Sequence, residues 1–233
     1  MTGKRPLVAG ALFLALVFLL QGLFPSPAPA ETEEAAAVGL PEVKRGDPGG
    51  FADLLYRRRS VRSFSEGQIP LEAVSRALFA AQGITRRGRF RTVPSAGALY
   101  PLEVYLVAGS VQGLRDGVYR YEPRGHELDR VVEGDRRREL ARECYGQMWI
   151  AEAQTVLVIC AVFERVTGKY GQRGVRYVHI EAGCAAQNVS LQGYASGLGS
   201  TVVGAFSDSG VAEAIGAEQG EEPLIVMPLG LLP

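Results

Sequence analysis

The chain has little of what builds metal centres and disulfide frameworks. Its 233 residues include three cysteines, two histidines and one tryptophan. Cys144, Cys160 and Cys184 contain no C-x-x-C pair and do not make a set of bridges. His126 and His179 stand at no ligand spacing to them, so zinc is not indicated. An excess of one charge is also missing, because Lys+Arg and Asp+Glu each number 25. Lys4 and Arg5 are the only charges among the first thirty residues, so the rest carries 25 − 2 basic against 25 acidic groups. That balance excludes the basic footprint of a general nucleic-acid binder. Hydrophobic residues make up 47% and charged residues 21%, which is an ordinary globular composition. A core of that size needs no metal or disulfide to hold it.

The first thirty residues read as an address. Lys4-Arg5 precedes the apolar run Leu7 to Leu20, and Ala28-Pro29-Ala30 offers an A-x-A cleavage pattern. The run, about 14 residues, is shorter than the roughly 20 of a spanning helix. The expectation is a signal peptide over 1–30 and export to a periplasmic or extracellular space. An uncleaved anchor, the chain's one route to a membrane, is the alternative. No cysteine follows the run to take a lipid, and no twin-arginine pair precedes it. Residues 31–50, rich in Ala, Glu, Pro and Gly, predict a flexible linker. The folded domain is expected over 51–233.

Within the domain, apolar spacing predicts a helix over Leu71 to Gln82, closed by Gly83. A shorter helix is expected from Phe51 to Arg59. Ile84 to Leu99 reads as a loop. Strands are expected over Glu103 to Ala108, Gly117 to Tyr121 and Glu127 to Val132, the last two joined by the turn Pro123-Arg124-Gly125. Asp135 to Tyr145 predicts an exposed helix with Arg136, Arg137 and Arg138 on its solvated face. Thr155 to Val162 is a continuous apolar run and predicts a buried strand. A long helix follows over Val175 to Ser196, with Ala182, Gly183, Ala185 and Ala186 small enough to admit a close neighbour. Strand Ser200 to Ala205, helix Ser209 to Ile215 and strand Leu224 to Leu229 complete an α+β arrangement around one sheet.

Four segments carry candidate chemistry. Arg57-Arg58-Arg59-Ser60-Val61-Arg62 sets four guanidiniums and a hydroxyl at a helix end, suited to phosphate oxygens or else to a solvated basic turn. Pro94-Ser95-Ala96-Gly97-Ala98-Leu99-Tyr100-Pro101 is a low-bulk backbone against which a flat ligand can lie; it equally suits a tight structural turn. Lys169-Tyr170-Gly171-Gln172-Arg173-Gly174 offers an amine and a phenol that can handle protons, or else an exposed Lys and a packing Tyr. Gly204 and Ala205 end a predicted strand with bare backbone.

In this order and spacing, R-R-S-x-R, P-S-A-G-A-L-Y-P, K-Y-G-x-R-G-x-R-Y followed by E-A-G-x-A-A-Q-N, and L-G-S-T-V-V-G-A-F resemble the nitroreductase superfamily, in its SagB/ThcOx branch. The resemblance covers about Phe51 to Pro233. It implies a three-layer α+β fold with a central, mostly antiparallel sheet flanked by helices. It also implies a homodimer that holds FMN at the subunit interface. Arg58 and Ser60 would bind the FMN phosphate, with Arg59 beside them. Arg62 would lie near the pyrimidine end of the ring. Pro94, Ser95 and Gly97 would line the ring, and Gly204 and Ala205 would present backbone near its reactive nitrogen. Lys169 and Tyr170 match the pair implicated in azoline oxidation and would be catalytic. The expected activity moves a hydride between FMN and a small-molecule or peptide-derived substrate. The chain departs from the pattern at Cys184, where family members often carry His, and at its end, Leu229 to Pro233, where basic residues are absent.

Two other readings differ in class. One is a flavin- or ligand-binding module that keeps the fold without turnover. The other is a thiol hydrolase built on Cys184 and His179. Five residues apart on a predicted helix, those two fall on different faces, which disfavours it.

Overall fold

The computed structural model describes residues 40–86 and 90–233. The expected signal peptide and the first part of the linker, 31–39, lie outside the described residues. Residues 44–233 form one compact unit. Its first residues are drawn inward by Asp53 on α1 (Phe51–Arg57). That carboxylate accepts from the Gly49 amide at 2.9 Å and pairs with Arg45 at 2.5 Å and Arg57 at 3.5 Å.

A six-stranded sheet forms the centre. Its strands are β3 (Leu102–Ala108), β4 (Gly117–Glu122), β5 (Glu127–Glu133), β6 (Thr155–Ala161), β7 (Leu198–Ser200) and β8 (Glu222–Leu231). They lie in the order β5-β4-β3-β6-β8-β7, and every named pair is antiparallel. Both faces of β6 are buried because successive side chains serve two cores. Leu157, Ile159 and Ala161 enter one; Val156, Val158 and Cys160 enter the other.

The first core is covered by α2 (Leu71–Gln82) and α5 (Arg173–Ala195). Val74, Ala77, Leu78 and Ala81 of α2 meet Val178, Ala182, Ala185 and Val189 of α5, the small side chains allowing close approach. The second core lies under α3 (Arg137–Glu143) and α6 (Asp208–Ile215), with Leu140, Ala141, Val211 and Ile215 facing the sheet. Helices on both faces make the three layers expected.

Several local expectations change. Residues 84–91 form a small hairpin, β1 (Ile84–Thr85) paired with β2 (Phe90–Arg91), within the predicted loop. Lys169 and Tyr170 end a separate helix, α4 (Glu164–Tyr170), which Gly171 at φ +56° breaks from α5. The predicted strand to Ala205 stops at Ser200, so Gly204 and Ala205 follow a strand rather than end one. Only Val203 pairs beyond it, with Val226. Arg137 does not belong to a solvated face. Its guanidinium holds Asp135 at 2.7 Å and donates to the Ala153 carbonyl at 2.6 Å.

Candidate functional site

The chain turns at Arg58 because the helical ladder stops there, its amide donating back to the Leu54 carbonyl. The next residues run beside β7. Ser60 bridges Ser200 in parallel, and the Val61 amide donates to the Ser200 carbonyl at 3.0 Å. Gly199 has no room for a side chain, since a Cβ there would meet Val61 at 2.7 Å. The arginine segment and the 198–205 segment therefore come together. Arg62 stands 5.7 Å from the centre of the Trp149 ring, and the Gln147 amide donates to the Ala205 carbonyl at 3.2 Å. The short 3-10 helix Met148–Glu152 thus completes this group. Trp149 is a half-buried platform for a guanidinium, not simple packing.

Arg58, Arg59 and Arg62 fit an anion. Among the described residues, Arg57 pairs with Asp53, but no carboxylate pairs with the other three. Arg59 spends one nitrogen on the Tyr56 and Arg58 carbonyls, and its amide reaches the Tyr194 hydroxyl. Three neighbouring cations left without counter-charge repel one another, and a bound phosphate relieves that cost. At Gly204 a Cβ would meet nothing within 4 Å, and the residue lines a cavity of about 530 Å³ with Phe163, Val175, His179 and Phe206. A phosphate-bearing cofactor with a flat ring suits these features.

The second group forms at the Pro94–Pro101 loop. Gly97, at φ +64°, packs against the end of α4. A Cβ there would lie 2.7 Å from the Tyr170 hydroxyl and 3.1 Å from Lys169 Nζ. Lys169 Nζ sits 5.3 Å from the Tyr170 ring centre, and Tyr170 meets Tyr177 edge to face at 5.3 Å. Arg165 of α4 fastens this junction, donating to the Tyr100 carbonyl at 3.1 Å and pairing with Glu103 at 2.6 Å. Two predicted segments thus meet at one point.

Ser95 differs from its expected role in one respect. Its hydroxyl oxygen accepts from the Tyr100 amide at 2.9 Å. That hydroxyl is engaged by its own loop, so what Ser95 offers a ligand is mainly backbone. Glu181 is 2% exposed, and burial pushes its carboxyl up to about 7, against the opposing pull of Ser95 and Arg91. One of its oxygens has no partner among the described residues. Sequence reasoning assigned Glu181 no role. The available signal was an acid three and four residues from Val178 and Ala185, on the buried stripe of a helix.

Helix α5 carries both groups. Glu181 lies on its buried face, and nine residues later Ser190 lies 3.5 Å, oxygen to oxygen, from Ser200. Nine residues of helix span roughly 13 Å.

The thiols are not arranged for catalysis. Burial pushes Cys144 up to about 12 and Cys160 far up. His179 packs edge-on against Phe163 at 5.6 Å. A separate cavity of about 300 Å³ lies between α2 and the β4–β5 hairpin, lined by no predicted site residue. His126 is exposed on the hairpin but engaged. It sits 2.7 Å from both the Ser75 and Tyr121 hydroxyls, pinning the hairpin to α2.

Comparison with known proteins gives these arrangements a family. Residues 55–231 match the family model described as the nitroreductase family. The candidate nitroreductase MJ1384 of Methanocaldococcus jannaschii is 46% identical over 200 residues, 86% of this chain and 97% of that protein. The microcin B17-processing protein McbC of Escherichia coli is 33% identical over 147 residues, 60% of this chain and 54% of McbC. Among solved structures, a candidate nitroreductase of Ralstonia eutropha superposes with a TM-score of 0.68 at 28% identity, covering 91% of this chain and 96% of that one. A chain of the E. coli microcin synthetase McbBCD, solved with truncated pro-MccB17 bound, gives a TM-score of 0.66 at 24% identity over 99% and 98%.

Proposed function

The chain belongs to the nitroreductase family, and on that premise we propose that it is an FMN-dependent oxidoreductase of the SagB/ThcOx type, moving a hydride equivalent between flavin and an organic substrate. The observation that carries this reading is the meeting of Gly97 with Lys169 Nζ and the Tyr170 hydroxyl. An amine and a phenol side by side against an unencumbered backbone can give or take a proton where a substrate is oxidised.

When bound, FMN supplies the ring that accepts or releases the hydride. Arg58, Arg59 and Ser60 hold its phosphate, the cations drawing on charge that Asp53 leaves uncompensated. Arg62, steadied over Trp149, places positive charge where a reduced flavin is negative. Pro94, Ser95 and Gly97 offer backbone, as do Gly204 and Ala205.

The working form is a homodimer. Supporting this are Phe51, 69% exposed, and Phe79, 41% exposed, which border an apolar groove of about 420 Å³ continuing along α5 past Asn188 and Leu191. Isolated apolar side chains on a surface need no partner, but a continuous groove loses its cost when covered. The substrate is a small molecule or a peptide-derived one. McbC is named for microcin processing, and its complex was solved with a truncated precursor. The enzyme works outside the cytoplasm, after cleavage near Ala30 or tethered by the uncleaved apolar run.

The test is an absorbance spectrum of the purified protein, followed by release and identification of the flavin. FMN in stoichiometric amount, bleached by dithionite and reoxidised by substrate, is the expected result. A colourless protein that takes up no FMN overturns the proposal. A yellow protein that reacts with no azoline, nitro compound or quinone leaves the non-catalytic module instead.

A further inference from the structure

The turn between α3 and the 3-10 helix Met148–Glu152 touches two parts of the site at once. The chain reverses there on two consecutive left-handed residues, Tyr145 at φ +54° and Gly146 at φ +74°. Glycine takes that region freely, but tyrosine takes it only against a steric penalty. Such backbone persists where its surroundings over-determine it. Cys144 before the turn and Ile150 after it are fully buried in the second core. Between them the Gly146 amide donates to the Arg142 carbonyl at 3.1 Å, and the Ile150 amide to the Gln147 carbonyl at 3.0 Å. The turn is therefore fixed at both ends, and it carries Gln147 and Trp149.

Gln147 faces the segment that follows β7. Val203 exchanges two backbone bonds with Val226 at 2.9 Å each, and the Ser207 amide donates to the Glu143 carbonyl at 2.8 Å. Between those tethers lies Ala205, whose carbonyl takes the Gln147 side-chain amide at 3.2 Å. The same nitrogen donates to the Cys144 carbonyl at 3.0 Å, so both of its protons are used. Holding the Ala205 carbonyl fixes the plane of the peptide that follows it. Two residues on, Trp149 faces Arg62, whose guanidinium lies 5.7 Å from the ring centre. That is within reach of the attraction between a cation and an aromatic face. Arg62 is an exposed side chain, and the ring gives it one preferred direction.

We propose that Gln147 and Trp149 are positioning residues, which set the charge of Arg62 and the backbone at Ala205 at one fixed spacing. The amide holds one, the ring holds the other, and the buried turn joins them. The use of that spacing rests on the function proposed above, in which Arg62 meets the negative charge of a reduced flavin and Ala205 lies beside its ring. The mechanical part does not.

The experiment begins with flavin-free protein. Gln147→Met keeps the length of the side chain but has no donor. In that variant the Val203 and Ser207 amides should exchange at least fivefold faster by NMR, while β3 and β6 amides hold their protection. Trp149 is the chain's one tryptophan, so its emission reports the other contact. Arg62→Met should raise acrylamide quenching of that emission at least twofold. In flavin-loaded protein, Trp149→Leu should lower the equilibrium constant for two-electron reduction at least tenfold, about 30 mV. Trp149→Phe keeps an aromatic face and should restore the constant to within about threefold. Unchanged exchange in Gln147→Met overturns the proposal, as does loosening spread equally through the sheet. An unchanged potential in Trp149→Leu overturns it too. A wild-type protein that binds no FMN, while both flavin-free effects appear, keeps the mechanical part and defeats only the flavin reading.

Discussion

Gly97 and Tyr170 stand so close that a methyl group on Gly97 would lie 2.7 Å from the phenol oxygen. Seventy-three residues of chain separate them, and no local pattern links the two. Substituting Gly97→Ala forces either the loop or the phenol to move, and it places a Cβ at φ +64°. A stability loss of about 1–2 kcal/mol is expected from the backbone alone. Turnover should fall more than stability, because the displaced atoms are the Lys169–Tyr170 pair. Thermal unfolding and steady-state assays on the same sample separate the two effects.

The cation segment and the amine–phenol pair should separate cleanly by mutation. Arg58→Ala should strip FMN, and residual binding should weaken further with added salt, as charge-assisted contacts do. Lys169→Ala should keep FMN and lose turnover by about a hundredfold, the low end of what a positioned proton-transfer group contributes. Flavin titration against rate measurements checks both. Full activity in Lys169→Ala would remove that residue from the chemistry.

Glu181 makes stability depend on pH in a definite direction. Its folded carboxyl titrates near 7, raised mainly by burial above an unfolded value near 4.5. The unfolded chain therefore releases this proton first, and stability falls as pH rises through that window. The loss at pH 8 is about 3 kcal/mol at most. Glu181→Gln removes the window, so urea midpoints of the variant should stay flat from pH 5 to pH 8 where the wild type declines.

Tyr105 tests the opposite face of the sheet. It is fully buried and donates to Glu221 at 2.5 Å, while Arg120 joins Glu221 and Glu103 at 3.0 Å each. Tyr105→Phe leaves a buried carboxylate oxygen one donor short, at a cost of about 1–3 kcal/mol. FMN content should be unaffected, since none of Tyr105, Arg120, Glu103 and Glu221 is among the residues proposed to hold the flavin. Denaturant unfolding with a flavin assay reads both.

Much of the frame could be read directly along the chain. The run Thr155 to Val162 announced a strand buried on both faces, and the spacing of Val74, Ala77, Leu78 and Ala81 announced α2. These signals are local, because a residue's burial repeats at the period of its own element. The small residues of α5 likewise foretold a close neighbour. Boundaries failed where a local reading met a tertiary decision. Lys169 and Tyr170 end a helix of their own because Val166 and Phe163 pack into the core, and Arg137 is drawn inward by the Ala153 carbonyl.

The order of chemical groups along the chain was set by sequence alone: guanidiniums and serine near residue 60, a spare loop after Pro94, an amine beside a phenol, and bare backbone at Gly204. Which of them touch was decided by the fold. Ser60 reaches Ser200 because β7 passes α1, and Gly97 reaches Tyr170 because α4 turns back over the loop. The burial of the Glu181 carboxyl on α5 also belongs to the fold. What buries a polar group depends on which elements pack over it, and residues as far apart as Gly97 and Tyr170 acquire their relation only when the core closes.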